Sequence, residues 1–187
     1  MNCVRPAHWT WLLAGILWLT TGVNADQNDE RLDPLFDELQ TSPGVNVSSV
    51  IEQQIWVLWS RGPTEEASRQ LRRGVRAMQQ GELETALSLL DTLIEDEPEF
   101  AEAWNKRATL HFIRGDINQS LADIEQTLTL EPRHFGALAG LGSIFARLRQ
   151  PEAAIRAYEQ VLNIYPQSTN SQRNLERLQE EVEGRIL

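Results

Sequence analysis

A single cysteine, a single lysine and three histidines are scattered through 187 residues. One Cys cannot build a disulfide framework within the chain or a Cys-rich zinc module. Positive charge is scarce as well: 17 basic side chains face 27 acidic ones, a formal charge of −10. Coating nucleic acid needs clustered positive charge, so that is excluded as the primary role. A membrane-spanning helix needs roughly 20 apolar residues, and the run Trp9 to Leu19 has eleven. G-x-S-x-G, the Gly-rich phosphate loop and H-E-x-x-H are all absent. What is present, 41% hydrophobic and 24% charged residues, lies near the globular norm, which excludes wholesale disorder and collagen-like structure.

The first 25 residues have the layout of a secretory signal peptide. Arg5 gives a short positive start, Trp9 to Leu19 the apolar centre, and Val23-Asn24-Ala25 a small-residue cleavage pattern before an acidic stretch. Cleavage is expected after Ala25. It removes one charged residue, Arg5, and takes the net charge to −11. It also removes Cys3, and a thiol-free chain suits an oxidising compartment. No stable membrane span is expected after processing. A periplasmic or secreted location follows, with a bacterial periplasm the first choice.

A 34-residue period organises the rest. Pro98, Pro132 and Pro166 keep it; so do Gly74, Ala108 and Gly142, and Ala86, Ser120 and Ala154. Leu90, Ile124 and Tyr158 form a fourth column, and Leu87, Leu121 and Ile155 a fifth. The small residues let two helices cross closely. Gly81 and Gly115, with Arg149 in the third copy, mark the turn between them. The prolines end the second helix, because the residue before Pro is pushed out of the α region.

This pattern resembles the tetratricopeptide repeat. The resemblance implies an all-α fold, a right-handed α-solenoid of stacked antiparallel helix pairs. The copies are Ala67–Phe100, Ala101–His134 and Phe135–Ser168, and residues 169–187 form a C-terminal cap helix, which a solenoid end requires. Residues 26–66 are an acidic extension outside the repeats. There Asp33-Pro34 reads as an N-cap followed by a first-turn proline, and Val47 to Trp59 as an amphipathic helix. Its apolar face is expected against the first repeat helix, as a cap.

Chemistry is thin. Only His111 and His134 remain after processing, at unlike repeat positions and without a carboxylate cluster, so neither a metal nor another cofactor is expected. No residue set supports catalysis. The resemblance implies binding through a concave groove lined by the first helix of each pair. Its lining places hold Leu71, Val75 and Met78, then Asn105, Thr109, Phe112 and Ile113, then Ser143 and Arg147. Such an apolar groove suits a peptide or protein segment held by packing, or else the chain's own Val47–Trp59 helix. Leu71, Val75 and Thr109 stand where the family's carboxylate-gripping relatives carry polar side chains.

Arg69, Arg72, Arg73 and Arg76 form a basic stripe along one helix side, able to meet an acidic partner or to pair with neighbours such as Glu65 and Glu66. Arg107 falls at an apolar place and needs a partner if buried, with Asp123 or Glu125 in reach. The alternative role is a self-associating structural unit, a homo-oligomer docking through Trp56 and Trp59 of the N-terminal helix.

Overall fold

The computed structural model describes residues 26–184; the expected signal peptide lies outside them. Among the described residues every regular element is a helix: α1 (Leu32–Thr41), α2 (Val45–Trp59), α3 (Glu65–Gln79), α4 (Leu83–Asp96), α5 (Ala101–Arg114), α6 (Ile117–Leu130), α7 (Phe135–Arg147), α8 (Pro151–Ile164) and α9 (Thr169–Gly184). Helices α3 to α8 pair in sequence and stack into a solenoid.

The periodic columns meet in equivalent surroundings. A Cβ on Gly74 would lie 3.1 Å from Leu90, and one on Gly142 would lie 2.9 Å from the Tyr158 ring. Between them Ser120 donates its hydroxyl to the Ala108 carbonyl at 2.8 Å. Each column of small residues thus takes the bulk of the next helix into the space it leaves. The turns use left-handed backbone at Gly81 (φ 76°), Gly115 (φ 88°) and Arg149 (φ 58°), a conformation that strains a side-chain-bearing residue such as Arg149. The second helices end alike. Glu97, Glu131 and Tyr165 donate their N–H groups to Leu93, Thr127 and Val161, and a proline follows each.

The N-terminal extension departs from expectation in three ways. Helix α1 begins at Leu32, so Asp33 is not its N-cap. The Asp29 carboxylate takes the Arg31 N–H and its guanidinium, closing a turn that starts the helix earlier. Pro34 then sits third in the helix, where its missing N–H is harmless. Helix α2 begins at Val45, directly after Gly44.

The third departure is the largest: α1 and α2 form a hairpin whose core is shared with the third repeat, not the first repeat helix. Leu32, Phe36, Leu39, Ile55 and Trp59 pack with Phe135, Leu138, Val161 and Tyr165. Four aromatic or branched side chains, on α7, on α8 and just after α8, offer more apolar area than the arginine-rich α3 does. Polar ties hold the hairpin in place. Arg133 binds Asp33 at 2.7 Å, the Gln40 amide donates to the Asn163 carbonyl at 3.0 Å, and the Tyr165 hydroxyl donates to Glu52 at 3.1 Å.

Candidate functional site

The concave face is built from α3, α5 and α7, and the hairpin divides it. The places nearest the helix N-termini are covered. Leu71 is 2% exposed, and Ser68, Glu102 and Asn105 are also buried. Trp56 of α2 lies against Gly136, and its ring centroid is 5.5 Å from that of His134 and 5.4 Å from that of Phe135. Trp59, 1% exposed, stacks on His134. Trp59 is therefore packed within the chain, while Trp56 is half-buried and keeps part of its indole at the surface.

Beneath the indoles sits a buried polar group. Glu102 accepts from His134 Nε2 at 3.1 Å and Asn105 Nδ2 at 2.8 Å, and its other oxygen lies 2.7 Å from Lys106 Nζ. The Ala137 N–H donates to His134 Nδ1, so the ring carries its proton on Nε2 and donates it to Glu102. Burial opposes the Glu102 charge, but Lys106 and the His134 hydrogen bond outweigh it and lower the pKa from 4.5 to about 2. Asn105 is thus a structural partner of Glu102. Trp59 of the hairpin roofs this group through its stack on His134.

The far half of the face is open. Thr109 and Ile113 are exposed, the latter by 55%; Phe112 and Ser143 are half-buried. The Arg147 guanidinium lies 5.4 Å from the Phe112 ring centroid. A slot of about 110 Å³ runs between α5 and α7, lined by Thr109, Phe112, Gly136, Gly140 and Ser143 among others. At the first-repeat end, Trp56, Ser60, Leu71, Arg72, Val75, Arg76, Gln79 and Lys106 surround a shallow depression of about 460 Å³. Met78, half-buried, packs into the core of the first pair.

The basic stripe divides. Arg69 pairs with Glu66 at 2.6 Å on the surface. Arg72 and Arg76 face the depression, and Arg73 is exposed. Arg107 is neutralised at its apolar place by both Asp123 and Asp91, each at 2.8 Å. His111 stands half-buried between Asp116 and Asp123. Among the described residues no group of three or more His, Cys, Asp or Glu is placed to hold a metal ion, and no helix is long and apolar enough to cross a membrane.

Comparison with known proteins follows the same lines. A family model described as tetratricopeptide repeat matches residues 71–117 and 106–169. A TPR repeat-containing protein of Rhizobium etli is 34% identical over 155 residues, covering 83% of this chain and 76% of its own length. Among solved structures, the Sgt2 TPR domain from Aspergillus fumigatus superposes with a TM-score of 0.60 at 22% identity, over 64% of this chain and 81% of that one. The first TPR of Spaghetti (RPAP3), solved bound to the HSP90 peptide SRMEEVD, superposes with a TM-score of 0.59 at 19% identity, over 62% of this chain and 92% of that one.

Proposed function

The chain belongs to the tetratricopeptide repeat family, and on that premise we propose that it is an exported, non-catalytic scaffold. It binds a peptide or protein segment on the part of its concave face that its own hairpin leaves open. The observation that carries this reading is the uncovered run Thr109, Phe112, Ile113 and Ser143 beside the α5–α7 slot. A half-exposed phenylalanine on the slot wall and an exposed isoleucine next to it on the same helix are what an incoming apolar side chain packs against. A structural relative solved with a bound peptide supports the same use of the fold.

Export rests on the sequence of residues 1–25 and on the loss of the only thiol with them. Cell fractionation with N-terminal sequencing tests it: a chain that starts at Asp26 outside the cytoplasm is the expected result. For binding, a photo-crosslinking residue at Ile113 should capture a defined adduct in cells, and one at Asn118 should not. Phe112→Arg should abolish the Ile113 adduct. Equal capture from both positions removes the groove from consideration.

A second reading, self-association, has one observation in its favour. Val47, Val50 and Val57 are each about half exposed on the outer side of the hairpin, and Val50 and Val57 with Leu35 border a depression of about 590 Å³. Light scattering decides: a monomer at micromolar concentration removes this reading.

A further inference from the structure

The depression at the first-repeat end pairs an apolar floor with unspent positive charge. Leu71 and Val75 form its base and the Trp56 indole one wall. Arg72 and Arg76, one helical turn apart, are exposed and hold no carboxylate among the described residues. Lys106 reaches the same space; its ammonium lies 5.0 Å from the Trp56 ring centroid and is paired with Glu102 at 2.7 Å, so the unspent charge is that of the two arginines. In a chain of net charge −10, internal carboxylates are abundant, yet none has been folded over these two guanidinium groups.

We propose that this depression is a binding site for acidic side chains of a protein segment, with Arg72 and Arg76 each gripping a carboxylate and Trp56 and Val75 packing against their aliphatic stems. The proposal rests on the concave-face reading above and names the ligand chemistry for its first-repeat end. A guanidinium takes a carboxylate in a two-pronged hydrogen bond. The apolar floor beside them lowers the local dielectric and strengthens that attraction. Two guanidinium groups a turn apart match two acidic side chains at similar spacing better than one chain-terminal carboxylate. A nucleic acid is the poorer match, because two unpaired local cations cannot offset the repulsion between a polyanion and a strongly acidic protein. The hairpin supplies Trp56 and Ser60 to the wall, so it completes the site besides covering the core.

Lys106 being the only lysine, reductive ¹³C-methylation of the purified protein places a single side-chain NMR reporter in the depression. The probes are acetyl-(Ala-Glu)₄-amide and acetyl-(Ala-Gln)₄-amide. The Glu peptide should shift the Lys106 methyl resonance saturably, and bind about tenfold or more tighter than the Gln peptide, the factor for losing one good charged hydrogen bond. Arg76→Gln, an exposed change that leaves the fold alone, should weaken the Glu peptide by a similar factor; Arg156→Gln on α8 should not. Equal binding of both peptides, unaltered by Arg76→Gln, overturns the acidic preference while leaving the groove in use. No shift with either peptide overturns the site itself, and a dT₁₂ oligonucleotide that binds tighter than the Glu peptide overturns it in favour of nucleic acid. Failure of the broader scaffold reading is scored separately, by the Ile113 crosslinks.

Discussion

The Trp59 indole lies flat on the His134 imidazole, with ring centroids 4.1 Å apart and planes 8° apart. Trp59 belongs to the hairpin and His134 to the turn before α7, so this stack joins the two parts of the molecule. Below it, His134 passes its proton-side hydrogen bond to Glu102 on α5. The hairpin, the second repeat and the third repeat therefore share one interior rather than touching at surfaces. Trp59→Ala should lower unfolding stability by about 3–5 kcal/mol, the usual range for a buried aromatic truncated to Ala, in one cooperative urea transition. A separate early transition for the hairpin would show that the shared interior is not what holds it.

Glu102 gives the protein an acid limit. Its folded pKa of about 2 lies below the ordinary 4.5, so its contribution to stability is full above about pH 4.5 and is lost as pH falls through about 2. Glu102→Gln should remove that part of the pH dependence and destabilise the protein by about 3 kcal/mol at neutral pH, as breaking a buried ion pair does. Urea midpoints of both proteins at several pH values between 2 and 7 measure it. Parallel curves for wild type and variant would mean that other carboxylates set the acid limit.

The repeats were legible in the sequence because their constraints are local and recur. Gly74 and Gly142 must clear Leu90 and Tyr158 in the same way, and a 34-residue spacing records that demand three times. Arg107 was legible as a residue in need of an anion; Asp123 was foreseen, and Asp91 on α4 was not. The hairpin's destination was not legible. Periodicity in Val47 to Trp59 states that a face is apolar, but not which of several apolar surfaces it meets. That choice was settled by Phe135, Leu138, Val161 and Tyr165, residues that looked like ordinary repeat positions. The groove places were readable as places, but spacing could not tell that Leu71 is buried in the core of the first pair and Asn105 beside Glu102.

If the hairpin completes the core, deleting residues 26–60 should leave Phe135, Leu138, Val161 and Tyr165 facing water. Contiguous exposed apolar surface of that kind binds hydrophobic dyes and drives association. The truncated protein should show raised 8-anilinonaphthalene-1-sulfonate fluorescence and concentration-dependent scattering. A truncated chain that stays monomeric and as stable as wild type would show that the solenoid is closed without it.

Two glycines on α7 separate close approach from mere flexibility. A Cβ on Gly136 would meet Trp56 Cη2 at 2.5 Å and Cζ2 at 3.0 Å, whereas one on Gly140 would meet only Ile124 Cδ1 at 3.5 Å, an ordinary contact. Helix propensity favours Ala over Gly by about 1 kcal/mol at either site. At Gly140 that gain stands unopposed, so Gly140→Ala should stabilise by roughly 0.5–1 kcal/mol. At Gly136 the indole must move, and its neighbours Trp59, His134 and Phe135 are ring-packed against it, so Gly136→Ala should cost about 1–3 kcal/mol, the range for overpacking. Trp56→Ala should abolish the difference, since the obstacle is then gone. Chemical denaturation of the two single variants and of Gly136→Ala in the Trp56→Ala background measures this; a Gly136 penalty that persists without Trp56 would place the constraint in the α7 backbone and not in the hairpin's contact with it.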